Sequence, residues 1–198
     1  MKAAIEQFRQ NIAYVRHLSH VHAVASSSPG LDASDILRAQ IVSAVSALDH
    51  YVHEVTRLGT LEVFNRKRTR TPAFDRARVS LEAVLTALDT PGGDDWLDDQ
   101  IRHDHSFQSF QTPDKIADAV RLFSSVPLWE RVAEELHVDL REVKDQLKLI
   151  VDRRNKIAHE ADLDPTYPGV RWPIDAALVN GAVDFIEQVC EAIHRVAL

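Results

Sequence analysis

The chain has 198 residues, of which 45% are hydrophobic and 27% are charged, a balance typical of a soluble globular protein. Its formal net charge of −7 argues against a constitutive, sequence-independent nucleic-acid coat, although it leaves room for a local basic groove. One cysteine, Cys190, excludes an intrachain disulfide and any zinc site built from cysteines. These features, with no apolar run long enough for a membrane span, predict one domain over residues 1–198 in a reducing cytoplasm.

The spacing of apolar residues predicts helices along almost the whole chain. The first is expected over about 2–25, and a long second helix over about 35–64. Further helices are predicted over 73–88 (closed by Thr90-Pro91-Gly92-Gly93), 94–105, 113–123, 128–136 and 138–159, with a last helix that starts at Pro173. Because no stretch alternates with the period of a strand, the fold class is predicted to be all-α.

The stretch from Arg154 to His159 breaks the apolar rhythm of its predicted helix. Ile150 and Val151 lie on the apolar seam, and the same spacing puts Arg154 next, where a guanidinium is costly unless it is paired or faces a wet cavity. Asn155 and His159 are four residues apart, so they project from one face beside Arg154. Such a break can mark a functional site. The alternative is a surface arginine followed by a histidine that the helix dipole favours.

A second pair of polar residues, Asp49 and His53, lies four residues apart beside the apolar stripe of the second predicted helix. One interpretation is that Asp49 orients Arg154 or His159 while His53 lines the same cleft. The other is a surface pair that stabilises the helix by about 0.2–0.5 kcal/mol. The sequence leaves both open.

The run Arg154-Asn155-Lys156-Ile157-Ala158-His159 resembles the R-x(4–6)-H signature of HEPN domains, and Ala47-Leu48-Asp49-His50-Tyr51-Val52-His53-Glu54 resembles the LD-x-Y-x-H-E segment of the RiboL-PSP class of HEPN proteins. The resemblance covers the helix order of most of the chain and is specific at these two motifs. It implies an HEPN-like, up-and-down helical bundle with extra short helices, which dimerises so that two motifs face each other across a cleft. One departure is Ala161, which stands where HEPN toxins silenced by a nucleotidyltransferase antitoxin carry a tyrosine.

The resemblance also implies an activity, a metal-independent endoribonuclease that acts on single-stranded RNA without a cofactor. By position in the motif, Arg154 would contact the scissile phosphate, His159 would act as acid or base, and Asn155 would orient them. This chemistry is coherent, because attack by the ribose 2′-OH needs a proton carrier that works near neutral pH and a fixed cation beside the phosphorus. Arg153 and Lys156 are expected to bind RNA, and a homodimer would supply two histidines, one as base and one as acid.

Three interpretations stay open at this point. The first is the ribonuclease, in a toxin–antitoxin or phage-defence role with an antitoxin or regulatory protein as partner, and the intact set of Arg154, Asn155 and His159 favours it. The second is a non-catalytic HEPN module that binds a protein, RNA or a nucleotide, which the acidic net charge favours. The third is a purely structural dimerisation domain. No metal is expected, since the histidines have no partners at ligand spacing.

Overall fold

The computed structural model describes residues 1–89 and 91–198. Within these ranges the chain forms nine helices and no strand, which confirms the all-α prediction. The helices are α1 (Lys2–Ser26), α2 (Ser34–Phe64), α3 (Pro72–Asp75), α4 (Leu81–Asp89), α5 (Asp95–His105), α6 (Pro113–Arg121), α7 (Leu128–Leu136), α8 (Leu140–His159) and α9 (Ala176–Ala197). Thr90, predicted from the sequence to help close a helix, lies outside the described residues. None of the described helices has both the length and the apolar character to cross a membrane.

The prediction of a single helix over 73–88 is wrong, because two helices, α3 and α4, occupy that stretch. Each begins at its own hydroxyl cap. Thr71 Oγ1 accepts a hydrogen bond from the Phe74 amide at 3.0 Å, and Ser80 Oγ accepts one from the Ala83 amide at 3.1 Å. The first backbone amides of a helix have no carbonyl partner inside it, and a hydroxyl that accepts from one of them stabilises a helix start. Thr71 and Ser80 therefore mark the starts of two separate helices.

The last helix starts at Ala176 rather than at Pro173, which corrects the predicted start. Asp175 is the physical reason, since its Oδ1 accepts a hydrogen bond from the Leu178 amide at 2.8 Å, and a carboxylate suits the positive end of the helix dipole. Leu178, in the first turn of this helix, is exposed, whereas its neighbour Val179 is buried.

The core is built around the long helix α2, which packs against α1, α5, α6, α8 and α9. The fully buried residues of this core include Phe8, Leu48, Tyr51, Leu147 and Ile186, together with the single cysteine. Burying one large apolar side chain of this kind contributes about 1.5–3 kcal/mol. A smaller buried cluster of Leu37, Ile41 and Val179, with Ile157 packed against it, joins the ends of α2, α8 and α9. That cluster fixes the end of α8, where the Arg154 motif lies.

Gly59 of α2 lies directly against the side chain of Phe123, which follows α6. A Cβ added at Gly59 would lie 2.7 Å from Phe123 Cδ1 and 2.8 Å from Phe123 Cβ, and the Phe123 ring is buried. We expect Gly59→Ala to lower the free energy of unfolding by about 1–3 kcal/mol, because overpacking outweighs the better helix propensity of alanine. Urea denaturation measures the change.

Gly181 in α9 is the matched control for this prediction. A Cβ added there meets nothing within 4 Å, so Gly181→Ala is expected to raise the free energy of unfolding by about 1 kcal/mol through helix propensity alone. Equal effects of the two substitutions would contradict the close approach of Phe123 to Gly59.

Candidate functional site

The last two turns of α8 carry Arg154 and His159, and the chain turns sharply just beyond them. His159 is the last residue of the helix and is exposed. Ala161 and Asp162 follow in the left-handed region, with φ of 51° and 58°. This turn lets the Asp162 amide donate back to the Lys156 carbonyl at 3.0 Å, which closes the end of α8. His159 therefore stands at the edge of a well-defined helix end, open to solvent.

Arg154 is held by a chain of hydrogen bonds that leads to α2. Its guanidinium donates to Gln111 Oε1, and Gln111 Nε2 donates to Asp49 Oδ2 at 2.8 Å. The other oxygen of Asp49 accepts from the Phe110 amide at 2.6 Å. Because a carboxylate can only accept from the amide NH₂, Asp49 sets the direction of the Gln111 side chain, with its carbonyl oxygen towards Arg154. Asp49 thus reaches Arg154 through Gln111 and not directly.

His53 lies behind this chain of bonds, packed among aromatic rings. Its Nε2 is 3.6 Å from Asp49 Oδ1, and its ring centroid is 4.6 Å from that of Phe110 and 5.0 Å from that of His105. Burial lowers the pKa of His53, although the Asp49 carboxylate opposes the effect. Burial also lowers the pKa of His105 to about 4, and the neighbouring His53 lowers it further. Both imidazoles are therefore neutral at pH 7.

This pair of neutral histidines makes the stability of the fold depend on pH. In the unfolded chain His105 takes up its proton near pH 6.5, whereas in the folded chain it does so only near pH 4. The unfolded state therefore binds more protons inside this window, and stability is lost as the pH falls through it. We expect the free energy of unfolding to fall by about 2 kcal/mol between pH 7 and pH 5 from His105 alone.

Denaturant titrations at the two pH values test this prediction. His105→Gln should flatten the pH dependence, because it removes the titrating group, whereas His20→Gln, a change at an exposed histidine of α1, should leave it unchanged. An unaltered slope in the His105 variant would contradict the assignment of the pH dependence to the His105 cluster.

A buried carboxylate, Asp162, ties the end of α8 to α2. Its Oδ2 accepts from Arg38 Nε at 2.7 Å and from Arg153 at 2.9 Å, while its Oδ1 has no hydrogen-bond partner among the described residues. Both arginines also donate to the Trp172 carbonyl, at 2.9 Å from Arg38 and 3.3 Å from Arg153, and Arg153 reaches the Pro173 carbonyl at 3.2 Å as well. Burial lowers the pKa of Arg153, and Asp162 opposes that effect.

The structure brings only some of the predicted site residues together. Arg154, Asp49 and His53 share one cluster. Arg153 points instead into the Asp162 cluster, so its expected contact with RNA has to compete with these bonds. Lys156 lies over the Trp172 ring, with its Nζ 5.1 Å from the centroid. Asn155 is half-buried, and His159 is exposed. Neither side chain makes a hydrogen bond or ion pair in the part of the chain that the structure describes.

Three residues of this region were missed at the sequence level: Gln111, Arg38 and Asp162. Arg38 had a signal, because it lies three residues before Ile41 and seven before Val45, on the apolar stripe of α2, which is the same kind of break as Arg154. Gln111 and Asp162 had none, since each lies in a segment between helices where no periodicity marks an inward side chain. Among the described residues, no three His, Cys, Asp or Glu side chains gather as a metal site would require.

Comparison with known proteins gives one clear result. The family model described as RiboL-PSP-HEPN matches residues 9–198, which is nearly the whole chain and includes both motifs. Searches of curated proteins and of solved structures gave no match.

Proposed function

The chain belongs to the RiboL-PSP-HEPN family, and we propose that it is a metal-independent endoribonuclease that uses Arg154 and His159. The observation that carries this proposal is the set of contacts made by the Arg154 side chain. Its guanidinium is half-buried and bonded to the neutral amide of Gln111, and it has no ion pair among the described residues. A carboxylate partner would neutralise it, whereas the amide fixes its direction and leaves its charge for a phosphate.

The reaction we propose is attack of a ribose 2′-oxygen on the adjacent phosphorus. The bond from phosphorus to the 5′-oxygen of the next nucleotide breaks, which leaves a 2′,3′-cyclic phosphate and a 5′-hydroxyl. One histidine takes the proton from the 2′-OH, and another gives a proton to the leaving 5′-oxygen. Arg154 stabilises the added charge on the phosphate oxygens. Asn155 orients the reacting groups and Lys156 binds the flanking RNA backbone, whereas Arg153, also expected to bind RNA, is engaged by Asp162.

The need for two proton carriers is the reason to include a homodimer in the proposal. Each copy supplies one His159, whereas this cleavage uses a base and an acid. Burial lowers the pKa of His53 and of His105, so neither imidazole holds the proton that the leaving oxygen needs, and both rings pack against Phe110 beyond Asp49. A second copy of the chain, with its own His159 across a shared cleft, supplies the missing group.

The second candidate function is a non-catalytic module that binds an RNA, a nucleotide or a regulatory protein such as an antitoxin. One observation favours it: no hydrogen bond within the described residues fixes the ring orientation of His159, as a partner of the imidazole commonly does in an active site. Both candidate functions, the ribonuclease and the binding module, are compatible with a role in a toxin–antitoxin pair or in phage defence.

The direct test is incubation of the purified chain with single-stranded RNA oligonucleotides in the presence of EDTA. Products that end in a 2′,3′-cyclic phosphate and begin with a 5′-hydroxyl are expected. The matched control substrate carries a single 2′-deoxy nucleotide at the cleaved position and should stay intact. RNA binding without cleavage would establish the binding module instead, and cleavage of the control substrate would contradict attack by the 2′-oxygen.

Gln111 is expected to act as a positioning residue for Arg154 in this reaction. Gln111→Ala should lower kcat about 10- to 100-fold, because a loosely held guanidinium stabilises the transition state less well than a fixed one. Gln111→Glu keeps the length of the side chain but offers Arg154 a carboxylate, so it should lower kcat at least as much and also raise KM.

Asp49→Ala should reproduce the effect of Gln111→Ala, since Asp49 sets the direction of that side chain. Gln108→Ala, a change at an exposed glutamine of the same segment, is the control and should leave both constants unchanged. Normal kinetics in folded Gln111→Ala and Asp49→Ala proteins would show that Arg154 needs no support from this chain of bonds.

A further inference from the structure

A cavity of about 250 Å³ lies between α2, α5, α6 and the segment that leads into α4. Most of its wall is apolar and comes from Val79, Leu97, Ile101, Phe110 and Leu122. Three of these side chains, on Leu97, Ile101 and Phe110, are buried, so the packing of the bundle fixes the shape of the wall. Because an apolar cavity of about 150 Å³ can hold benzene, this one has room for a ring or a branched chain with a short polar group.

Three charged residues line the same cavity: Arg78 before α4, Asp104 on α5 and Asp118 on α6. Asp118 forms an ion pair with Arg121. Arg78 and Asp104 have no ion pair within the described part of the chain, with each other or with any other residue, and Asp104 Oδ1 accepts only from the neutral amide of Gln100, at 2.8 Å. A cation and a carboxylate therefore line one space without neutralising each other.

His105 also lines the cavity, and its protonation state decides the balance of charge there. Burial lowers the pKa of His105 to about 4, so the ring carries no charge at pH 7. Arg78 is therefore the one cation among the described residues that line the cavity. Asp104 is the one carboxylate of this lining that has no cationic partner among them.

We propose that the cavity binds a free apolar amino acid. Its α-carboxylate binds Arg78, its α-ammonium group binds Asp104, and its side chain fills the apolar interior. A guanidinium matches a carboxylate because two of its N–H groups can bond both oxygens at once. Gln100 occupies Oδ1 of Asp104, which leaves Oδ2 for the ammonium group.

The pair of opposite charges favours a zwitterion over a ligand with a single charge. A simple carboxylic acid would leave Asp104 without a cation and place a second anion near it, and an amine would do the converse to Arg78. The small volume favours a compact ligand as well, because pockets for drug-sized molecules measure about 300–1,000 Å³. A free amino acid with an apolar side chain meets all three conditions: both charges, the apolar wall and the size.

This cavity is separate from the Arg154 site, although the two share Phe110. The Phe110 ring lines the cavity, whereas its backbone amide donates to Asp49 on the way to Arg154. Neither Arg154 nor His159 lines the cavity. The bound amino acid therefore leaves the proposed cleavage site open, and its binding can be measured whether or not the chain cleaves RNA.

Calorimetric titration of the intact chain with three related compounds tests the proposal. Phenylalanine, 3-phenylpropionate and phenethylamine share the phenyl ring and its two-carbon link, and they differ in which charged groups they carry. Phenylalanine is expected to bind at least about tenfold more tightly than either analogue, because each analogue leaves one protein charge unmatched. Glycine, which has the same charged groups without the side chain, should bind at least about tenfold more weakly than phenylalanine.

Two substitutions assign the charged groups of the ligand to their partners. Arg78→Gln should weaken phenylalanine about tenfold and leave phenethylamine no weaker, whereas Asp104→Asn should weaken phenylalanine about tenfold and leave 3-phenylpropionate no weaker. Arg76→Gln and Asp99→Asn are the matched controls, at exposed residues that do not line this cavity, and should change none of the affinities.

A third substitution fills the cavity itself. Ala77 lines it and is exposed, so Ala77→Phe should block the opening without disturbing the core, and all three compounds should bind at least about tenfold more weakly. Helical circular dichroism confirms that the variants are folded. No binding of phenylalanine at millimolar concentration, an analogue that binds as tightly as phenylalanine, or unchanged binding of phenylalanine to the Arg78 or Ala77 variant would each overturn the proposal.

Discussion

Replacing His159 by alanine is expected to lower kcat for RNA cleavage by about 10²- to 10⁴-fold while the fold stays intact, because one proton transfer of the reaction loses its carrier. Replacing Arg154 by alanine is expected to lower kcat about 10²- to 10³-fold, since the charge on the phosphate oxygens loses its fixed cation. His159 is exposed and has no bonded partner among the described residues, so its removal should change the free energy of unfolding by less than about 0.5 kcal/mol.

The two substitutions should differ in how they affect RNA binding. Arg154→Ala should raise KM as well, because the guanidinium contacts the phosphate in the ground state, whereas His159→Ala should leave KM close to that of the wild type. The matched controls are His20→Ala on α1 and Arg141→Ala near the start of α8, both at exposed side chains. If cleavage persisted in both motif variants, the end of α8 would be ordinary helix surface and the reaction would occur elsewhere.

The order of the helices could be predicted from the sequence because the buried residues keep a regular spacing. Phe8, Ile12 and Val15 of α1 are all buried, as their gaps of four and three require. The prediction failed where a local hydrogen bond decides a boundary. Thr71 and Ser80 start separate helices through their hydroxyls, and Asp175 delays the start of α9. Apolar spacing carries no information about these caps.

The candidate site could be predicted only in part, for a related reason. Arg154 stands out because a guanidinium falls on the apolar seam of α8. Its neighbour Arg153 carries the same charge, and successive residues point about 100° apart around a helix, so only the structure shows that Arg153 faces Asp162. Gln111 lies 62 residues from Asp49 and outside any helix, and this contact leaves no trace in the local pattern.

The two motifs therefore supply the reacting groups, while residues outside them hold those groups in place. The Arg154 guanidinium is held by Gln111, and Gln111 is held in turn by Asp49 of α2. The end of α8 is fixed from another side by Asp162, through Arg38 on α2 and Arg153 on α8 itself. Loss of the Asp162 carboxylate should lower both the stability of the fold and the rate of RNA cleavage, although no residue of the R-x(4–6)-H run is changed.

Asp162→Ala is expected to lower the free energy of unfolding by about 3–5 kcal/mol, because it leaves two guanidiniums without their shared buried carboxylate. Arg38 is 5% exposed and cannot recover its lost partner by hydration without moving. Small domains are stable by only about 5–15 kcal/mol, so the variant should unfold at a clearly lower urea concentration than the wild type. Asp162→Asn should cost less, since the amide oxygen still accepts one of the two hydrogen bonds.

Asp35→Ala is the matched control, because Asp35 lies 3.8 Å from the same Arg38 but is largely exposed. It should change the free energy of unfolding by no more than about 1 kcal/mol, as exposed ion pairs do. A cost below about 1 kcal/mol for Asp162→Ala as well would show that both arginines reach water easily and that the cluster does not hold α8. With the expected large cost, RNA cleavage by the still-folded Asp162 variant should also fall, since Arg154 and His159 lie on the helix end that this carboxylate anchors.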